Sequence, residues 1–503
     1  MTRWSVLVTR TVVLALLAVG AQAAASNWVP CSDPAEVIVI ADAALDAAVR
    51  TDLDREDGDL TCGDMARLRT INANGTGVAL LDGLEHAVNV TRLNARDNQI
   101  VDLGPIAGLT RLGRIYARGN QISDLTPLRE LTRLTHLELR RNEIDDLGAL
   151  APLSSLQVLD LRDNAIEDLT PLRALAGLRQ LSLQSNRIAS AAPLAGLRNL
   201  TLLGLDSNLL SDGDGLGLLH ALETLTIRNN QLPDLNFLFL LTNLRTLDAR
   251  SNQLTHVAAL RGLDSLETLR LGRNQIADVR PLADLVNLRV LDLERNAIAS
   301  VAALSGLTEL VDLNLARNAV RDVTALANMT SLEVLNLNRN QVTDLTPLGR
   351  LTNLQRLDLG RNQATDLTPL ARMQQLTRLV LEGNAVVDLE PIARAVELTE
   401  LNLGNNGIRD IASLNGLTQL EVLDLQRNAV EDLRPLVSLR ALRDLKLARN
   451  RVRDLEPLTA LPGLTALTLE RNCLLLEGDT EVHITRWLAA GVTVSYEEQD
   501  SCD

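Results

Sequence analysis

Apolar and polar positions follow one short, fixed cycle along most of this chain. Around Asn340, Leu335 and Leu337 alternate with polar Asn336 and Asn338, the period-2 pattern of a strand buried on one face. Val342, Leu345, Leu348 and Leu351 then recur at three-residue intervals, a spacing that predicts a tight 3₁₀-like return path. With Leu332 as position 1 and Asn340 as position 9, the cycle closes after 22 residues and begins again.

The asparagine of position 9 recurs without a slip from Asn98 to Asn472, and one earlier unit carries Thr76 in its place. That makes nineteen units between about Leu68 and Asn472. Each unit points inward leucines that it cannot bury alone, so stacked neighbours must complete the core and the molecule becomes quasi-one-dimensional. Composition agrees. Hydrophobic residues make up 46% of the 503 and aromatics 1%, so Leu, Ile, Val and Ala must fill one small packing unit used many times.

Two polar columns have structural tasks. The chain turns sharply at position 9, where backbone polar groups lie away from water. An amide carries both donor and acceptor, so stacked Asn side chains are expected to satisfy those groups from coil to coil. At position 13 an aspartate recurs from Asp102 to Asp454, as in Asp344-Leu345-Thr346-Pro347. It is expected to cap the free N–H groups of the short helical turn. Calcium needs six to eight oxygens, which single carboxylates, one per coil, do not supply.

The pattern Leu-x-x-Leu-x-Leu-x-x-Asn-x-Ile/Val-x-Asp-Leu-x-Pro-Leu resembles the 22-residue leucine-rich repeats of the internalin family, over roughly residues 36 to 497. The resemblance implies an α/β leucine-rich-repeat solenoid: a curved horseshoe with a parallel β-sheet on its concave face and 3₁₀ or extended segments on its convex face. A helical N-terminal cap is expected over Asp42 to Arg50, with Asp42 as N-cap and Leu45 and Val49 on one face. At the far end, a helix over Glu481 to Ala489 with Ile484, Trp487 and Leu488 inward should lead through Gly491 to a strand over Val492 to Tyr496. The expected divisions are a signal peptide at 1–23, an N-terminal cap at 24–67, repeats at 68–472 and a C-terminal cap at 473–503.

The first residues read as an export signal. Arg3 and Arg10 supply its positive end, Thr11 to Gly20 its apolar stretch, and Ala21-Gln22-Ala23 a small-residue cleavage site. The stretch is too short to span a bilayer, no lipid-anchoring cysteine follows, and no hydrophobic tail or sorting motif closes the chain. A secreted or periplasmic monomer, without membrane insertion after cleavage, is the expectation. Oxidation of Cys31, Cys62, Cys473 and Cys502 is expected there. Two of these precede the repeats and two follow them, so a solenoid leaves only Cys31–Cys62 and Cys473–Cys502 within bonding reach. Removing residues 1–23, which hold two arginines and no acid, takes the formal charge from −15 to −17. That excludes the basic footprint that nucleic acid or an anionic membrane would need.

No catalytic constellation is present: the five histidines fall in different repeats, and there is no nucleophile elbow, zinc spacing or phosphate loop. A non-enzyme without cofactor or metal is expected. Asp212-Gly-Asp-Gly215 replaces the usual leucine with Gly213, which predicts a looser turn. The next unit carries Phe237 and Phe239, and Phe239 is a minor contact candidate on the convex side. The acidic stretch from Asp52 to Asp59 reads as a solvated loop.

Binding chemistry is sought at positions 3, 5, 7 and 8, expected to face the concave surface. Strands about 4.8 Å apart give nineteen units a surface on the order of 85 Å long. Position 8 carries Arg273, Arg295, Arg317, Arg339 and Arg361, and after Gly383 and Asn405 the row resumes at Arg427, Arg449 and Arg471. Position 7 carries Arg96, Arg118, Arg140 and Arg162 with Tyr116 beside them, and later Arg228 and Arg250. These rows are either a solvated face, neutralised by Asp292, Asp358, Asp424 and Glu294, or a set of guanidinium forks for carboxylates, sulfates or phosphates. The second reading makes the chain a binding protein for an acidic protein or polysaccharide through a polar, salt-sensitive contact. The alternatives are an envelope spacer without a ligand and a phosphatase-regulating repeat protein, against which the export signal and terminal disulfides argue.

Overall fold

The computed structural model describes residues 31–501, so the expected signal peptide and Cys502 lie outside the described residues. An antiparallel pair, β1 (Val37–Ile38) and β2 (Leu60–Thr61), flanks helix α1 (Ala43–Leu53), and a short helix α2 (Cys62–Met65) leads into the stack. Nineteen three-residue strands then follow at 22-residue spacing, from β3 (Thr70–Asn72) to β21 (Ala466–Thr468). A 3₁₀ segment follows each strand up to the eighteenth of them. Helix α3 (Asp479–Ala489) and strand β22 (Thr493–Ser495) close the far end. Every strand from β3 onward pairs in parallel with the next, in strict register, as Leu335 with Leu357. The fold is therefore a leucine-rich-repeat solenoid with one continuous parallel sheet.

The leucine, isoleucine and valine positions form one unbroken apolar cluster along the stack. The asparagine column closes each coil. Asn340 donates to the carbonyls of Leu315 (2.9 Å) and Leu337 (3.0 Å), and its Oδ1 accepts from the N–H of Val320 (3.0 Å). All eighteen asparagines accept in the same way from the coil before them. The last strand extends the column. Gln499, six residues beyond Thr493, donates to Leu469 O (3.1 Å) and to Tyr496 O (2.6 Å), the two kinds of carbonyl that each asparagine reaches. The C-terminal strand is thus a truncated further coil with glutamine in the asparagine place.

At the N-terminal end Asp42 serves two elements. Its Oδ1 accepts from Ala44 and Leu45 at the start of α1, while Oδ2 accepts from Ala79 and Leu80 of the first coil. Asp52 accepts from the main chain and side chain of Asn72 on the outermost strand, so the acidic stretch is tied down at its first residue. The Cys31–Cys62 disulfide is present, with Cα atoms 5.9 Å apart.

Two expectations are corrected. Leu488 does not turn inward with Ile484 and Trp487 but is 46% exposed, because only one narrow face of α3 meets the stack. The turn at Gly213 is altered but not emptied: Gly215 takes a left-handed φ of 84° and the 3₁₀ segment starts at Leu216, two residues later than in the coils on either side. A side chain at Gly213 would collide with the Phe237 ring of the next coil, which occupies the missing leucine's volume. Phe239 lies on the surface, 66% exposed.

All fourteen position-13 aspartates accept a hydrogen bond from the N–H two residues on, at 2.7–3.1 Å. The Arg280 side chain, with its own N–H, holds Asp278 down at about 2. Threonine hydroxyls and N–H groups hold Asp168, Asp322, Asp344 and Asp366 below their ordinary value of 3.8. Carboxyls depressed by folding stabilise above their unfolded pKa and lose that contribution as pH falls through the folded one. Burial raises Asp206, Asp292, Asp312 and Asp424, so these stabilise as pH falls towards 3.8. The denaturation midpoint is therefore expected to hold or rise slightly down to pH 4 and to drop between about pH 4 and 2. Asp278→Asn with Asp344→Asn should flatten that drop, and an unchanged acid limb would remove the caps from the account.

Candidate functional site

In an uninterrupted strand, position 8 would share the inward face of positions 4 and 6. It does not, because the backbone enters the left-handed region at this position in all nineteen units, from Gly75 to Arg471. Position 8 is thereby thrown to the surface and position 9 dropped into the core. The concave placing expected for Arg273, Arg295, Arg317, Arg339 and Arg361 is corrected accordingly. These five stand on the rim beyond the strand ends, and positions 3, 5 and 7 make the concave face.

A left-handed backbone costs an L-residue with a full side chain roughly 1–2 kcal/mol and costs glycine nothing. In the N-terminal units the position is held mostly by Gly, Asp, Asn and Ser, residues small or able to bond locally. In the last ten units arginine holds it eight times, with φ between 53° and 60°. Charge adds to the cost. Desolvation and the neighbouring charges of Arg295, Arg339 and Arg361 hold the Arg317 guanidinium below the usual arginine range.

The two rows differ in their pairing. At position 7, Arg96 meets Glu138 (3.1 Å), Arg118 meets Asp97 (3.2 Å) and Arg140 meets Asp163 (2.7 Å). Arg162 grips Asp160 with Nε at 2.8 Å, and Arg250 grips Asp248 with Nε at 2.9 Å. Tyr116 is occupied too, with the Arg96 guanidinium 4.4 Å from its ring centre. On the rim, Arg295 and Arg317 share Glu294 (3.2 and 3.8 Å) and Arg361 meets Glu382 (3.0 Å). Arg273, Arg339, Arg427 and Arg449 have no ion-pair partner among the described residues. The N-terminal row is self-neutralised, and the C-terminal rim is not.

Of the position-5 acids expected to neutralise the arginine rows, Asp292 lies 3.9 Å from Arg250 of position 7, and among the described residues none of the three pairs with a rim arginine. Asp292, Asp358 and Asp424 accept from the backbone N–H two residues on, at 3.0, 2.9 and 3.0 Å, while the carbonyls of Leu271, Leu337 and Leu403 in the coil before are taken by Asn296, Asn362 and Asn428. Burial pushes Asp292 and Asp424 up from the ordinary carboxylate range. Near the middle of the sheet a recess of about 280 Å³ is lined by Arg228, Arg250, Gly272, Arg273, Asp292 and Glu294. Cys31, Cys62 and His86 come together in the N-terminal cap, but both sulfurs are spent in the disulfide. No helix among the described residues is long and apolar enough to cross a membrane.

The family described as Leucine Rich repeats (2 copies) matches the chain over residues 132–174, 154–196, 242–284, 330–372 and 396–438. A comparison with curated protein sequences finds no match. The chain is a leucine-rich-repeat protein. An internalin of Listeria monocytogenes superposes with a TM-score of 0.53 at 28% identity, covering 72% of this chain and 96% of that one. A leucine-rich-repeat protein of Leptospira interrogans superposes at 0.67 and 25% identity, covering 77% and 97%. More narrowly, then, this is an internalin-like bacterial leucine-rich-repeat protein. A plant peptide hormone receptor shares the fold, with a TM-score of 0.67 at 21% identity over 87% of this chain and 80% of that one.

Proposed function

We propose that this is an extracytoplasmic binding protein whose C-terminal arginine rim recognises an anionic partner, a protein in the first instance. One observation carries the reading: in the last ten units eight arginines occupy left-handed positions where glycine or asparagine would relieve backbone strain, and four of them lack an ion-pair partner among the described residues. Strain retained at one row of exposed residues points to use of those residues. The apolar N-terminal segment and the Cys31–Cys62 bond support a site of action outside the cytoplasm. The paired arginines from Arg96 to Arg162 serve as sheet-spanning ties, and Tyr116 with them.

Charge-assisted hydrogen bonds of about 1.5–3 kcal/mol each set the scale of the test. Arg317→Glu with Arg339→Glu should weaken capture of anionic surface proteins at low salt by about 100-fold or more. Unchanged capture would end the rim model. Arg339→Asn sharpens the test, since Asn229 and Asn405 already hold this position elsewhere in the chain. It should raise stability by about 1 kcal/mol while weakening binding.

A further inference from the structure

Position 7 carries a second period along the C-terminal half. In ten consecutive units it alternates between a small residue (Gly272, Ala316, Gly360, Gly404, Ala448) and a long polar one (Glu294, Asn338, Glu382, Gln426, Glu470). Packing does not impose this, because Arg96, Arg118, Arg140 and Arg162 stand long beside long at the same position. The sheet edge beside the rim therefore repeats every 44 residues, while the rim arginines keep the 22-residue period. With strands about 4.8 Å apart, one long polar side chain is presented about every 9.6 Å, flanked by arginines at half that spacing.

We infer that this half of the rim takes an extended acidic polypeptide in the polyproline II conformation, its carboxylates recurring every third residue and laid along the stack. This rests on the reading of the rim as a binding surface. A polyproline II chain has three residues per turn and a rise of about 3.1 Å, so one side of it repeats every ~9.3 Å. Over the four steps from Arg273 to Arg361 the mismatch with the rim stays near ~0.6 Å, within reach of arginine side chains. A β-strand ligand, repeating every ~6.7 Å on one face, falls out of register by the second step.

The chemistry of the long residues selects a peptide over a glycan. Glu294, Glu382 and Glu470 would repel a chain charged at every sugar. They and the amides of Asn338 and Gln426 can instead accept from backbone N–H groups, which polyproline II leaves unpaired. Nor does this stretch offer an aromatic face: Tyr116, far towards the N-terminus, is the only aromatic among the sheet-face positions of the repeats.

The test uses two fluorescent 15-residue peptides of equal composition titrated against the purified protein. One is (Glu-Pro-Pro) repeated five times; the other carries its five glutamates as one block. The spaced peptide is expected to bind at least ten times more tightly, and Arg317→Gln with Arg339→Gln should remove that preference. Equal affinity for the two would overturn the register while leaving an anion-binding rim. Binding of a sulfated polysaccharide with no affinity for either peptide would also overturn it, assigning the rim to glycans. If none of the three ligands bound, the rim reading itself would fall with it.

Discussion

Asn340→Ala is expected to destabilise the middle of the stack by about 3–5 kcal/mol, because it strands a buried donor and carbonyls that each cost about 1–3 kcal/mol unpaired. Asn340 is only 8% exposed, so water cannot replace its side chain without opening the coil. The groups concerned are the Val320 N–H and the carbonyls of Leu315 and Leu337. Because each coil touches only its neighbours, the loss should not spread evenly. Denaturant unfolding is expected to split into two transitions, and hydrogen exchange to accelerate first at Val320, while Val342, held by Asn362, should follow later. Asn340→Thr should fall between the wild type and alanine, as Thr76 makes only a bond to the Ala73 carbonyl (3.1 Å) in the first coil. A loss under about 1 kcal/mol would show that the column is dispensable packing.

The second large effect concerns Gly213 and Phe237, which divide one leucine's volume between two coils. Phe237→Ala should cost about 3 kcal/mol, at the lower end for a phenylalanine truncation because its ring is only partly buried. Gly213→Leu alone overpacks the same space and should cost about 1–3 kcal/mol. Together they should recover most of either loss, since the pair rebuilds the leucine that other coils carry at this position. A double-mutant cycle with coupling near ~2 kcal/mol is the expected signature. Additive losses would mean that the ring and the glycine do not share a space.

The fold could be read from the sequence because its cause is periodic. Leu335, Leu337, Asn340 and Asp344 stand for residues that perform the same physical task in coil after coil, so one unit predicts the rest. The rim could not be read in the same way. Alternation places Arg339 on the inward face or the sheet, and only the left-handed backbone puts it outside. A signal existed in Gly75, Gly119, Gly383, Asn229 and Asn405, residues that favour this backbone and share the column with the arginines. Counting charges misled for the rim, because Asp292 reaches only Arg250 of position 7, and Asp292, Asp358 and Asp424 are all engaged by backbone N–H groups. The role of Phe237 escaped for a different reason: its partner Gly213 lies one coil away, a contact no single unit displays.

The asparagine column also gives the molecule a direction in time. Each amide completes the coil before its own, as Asn340 does for Val320, twenty residues earlier. A coil leaving the ribosome therefore keeps its turn open until the next asparagine has been made. At any stage of synthesis the last coil made lacks the amide that completes it. Gln499 supplies the donor half of that contact to the last coil, reaching the Leu469 carbonyl, while its Oε1 accepts from the Asn472 N–H.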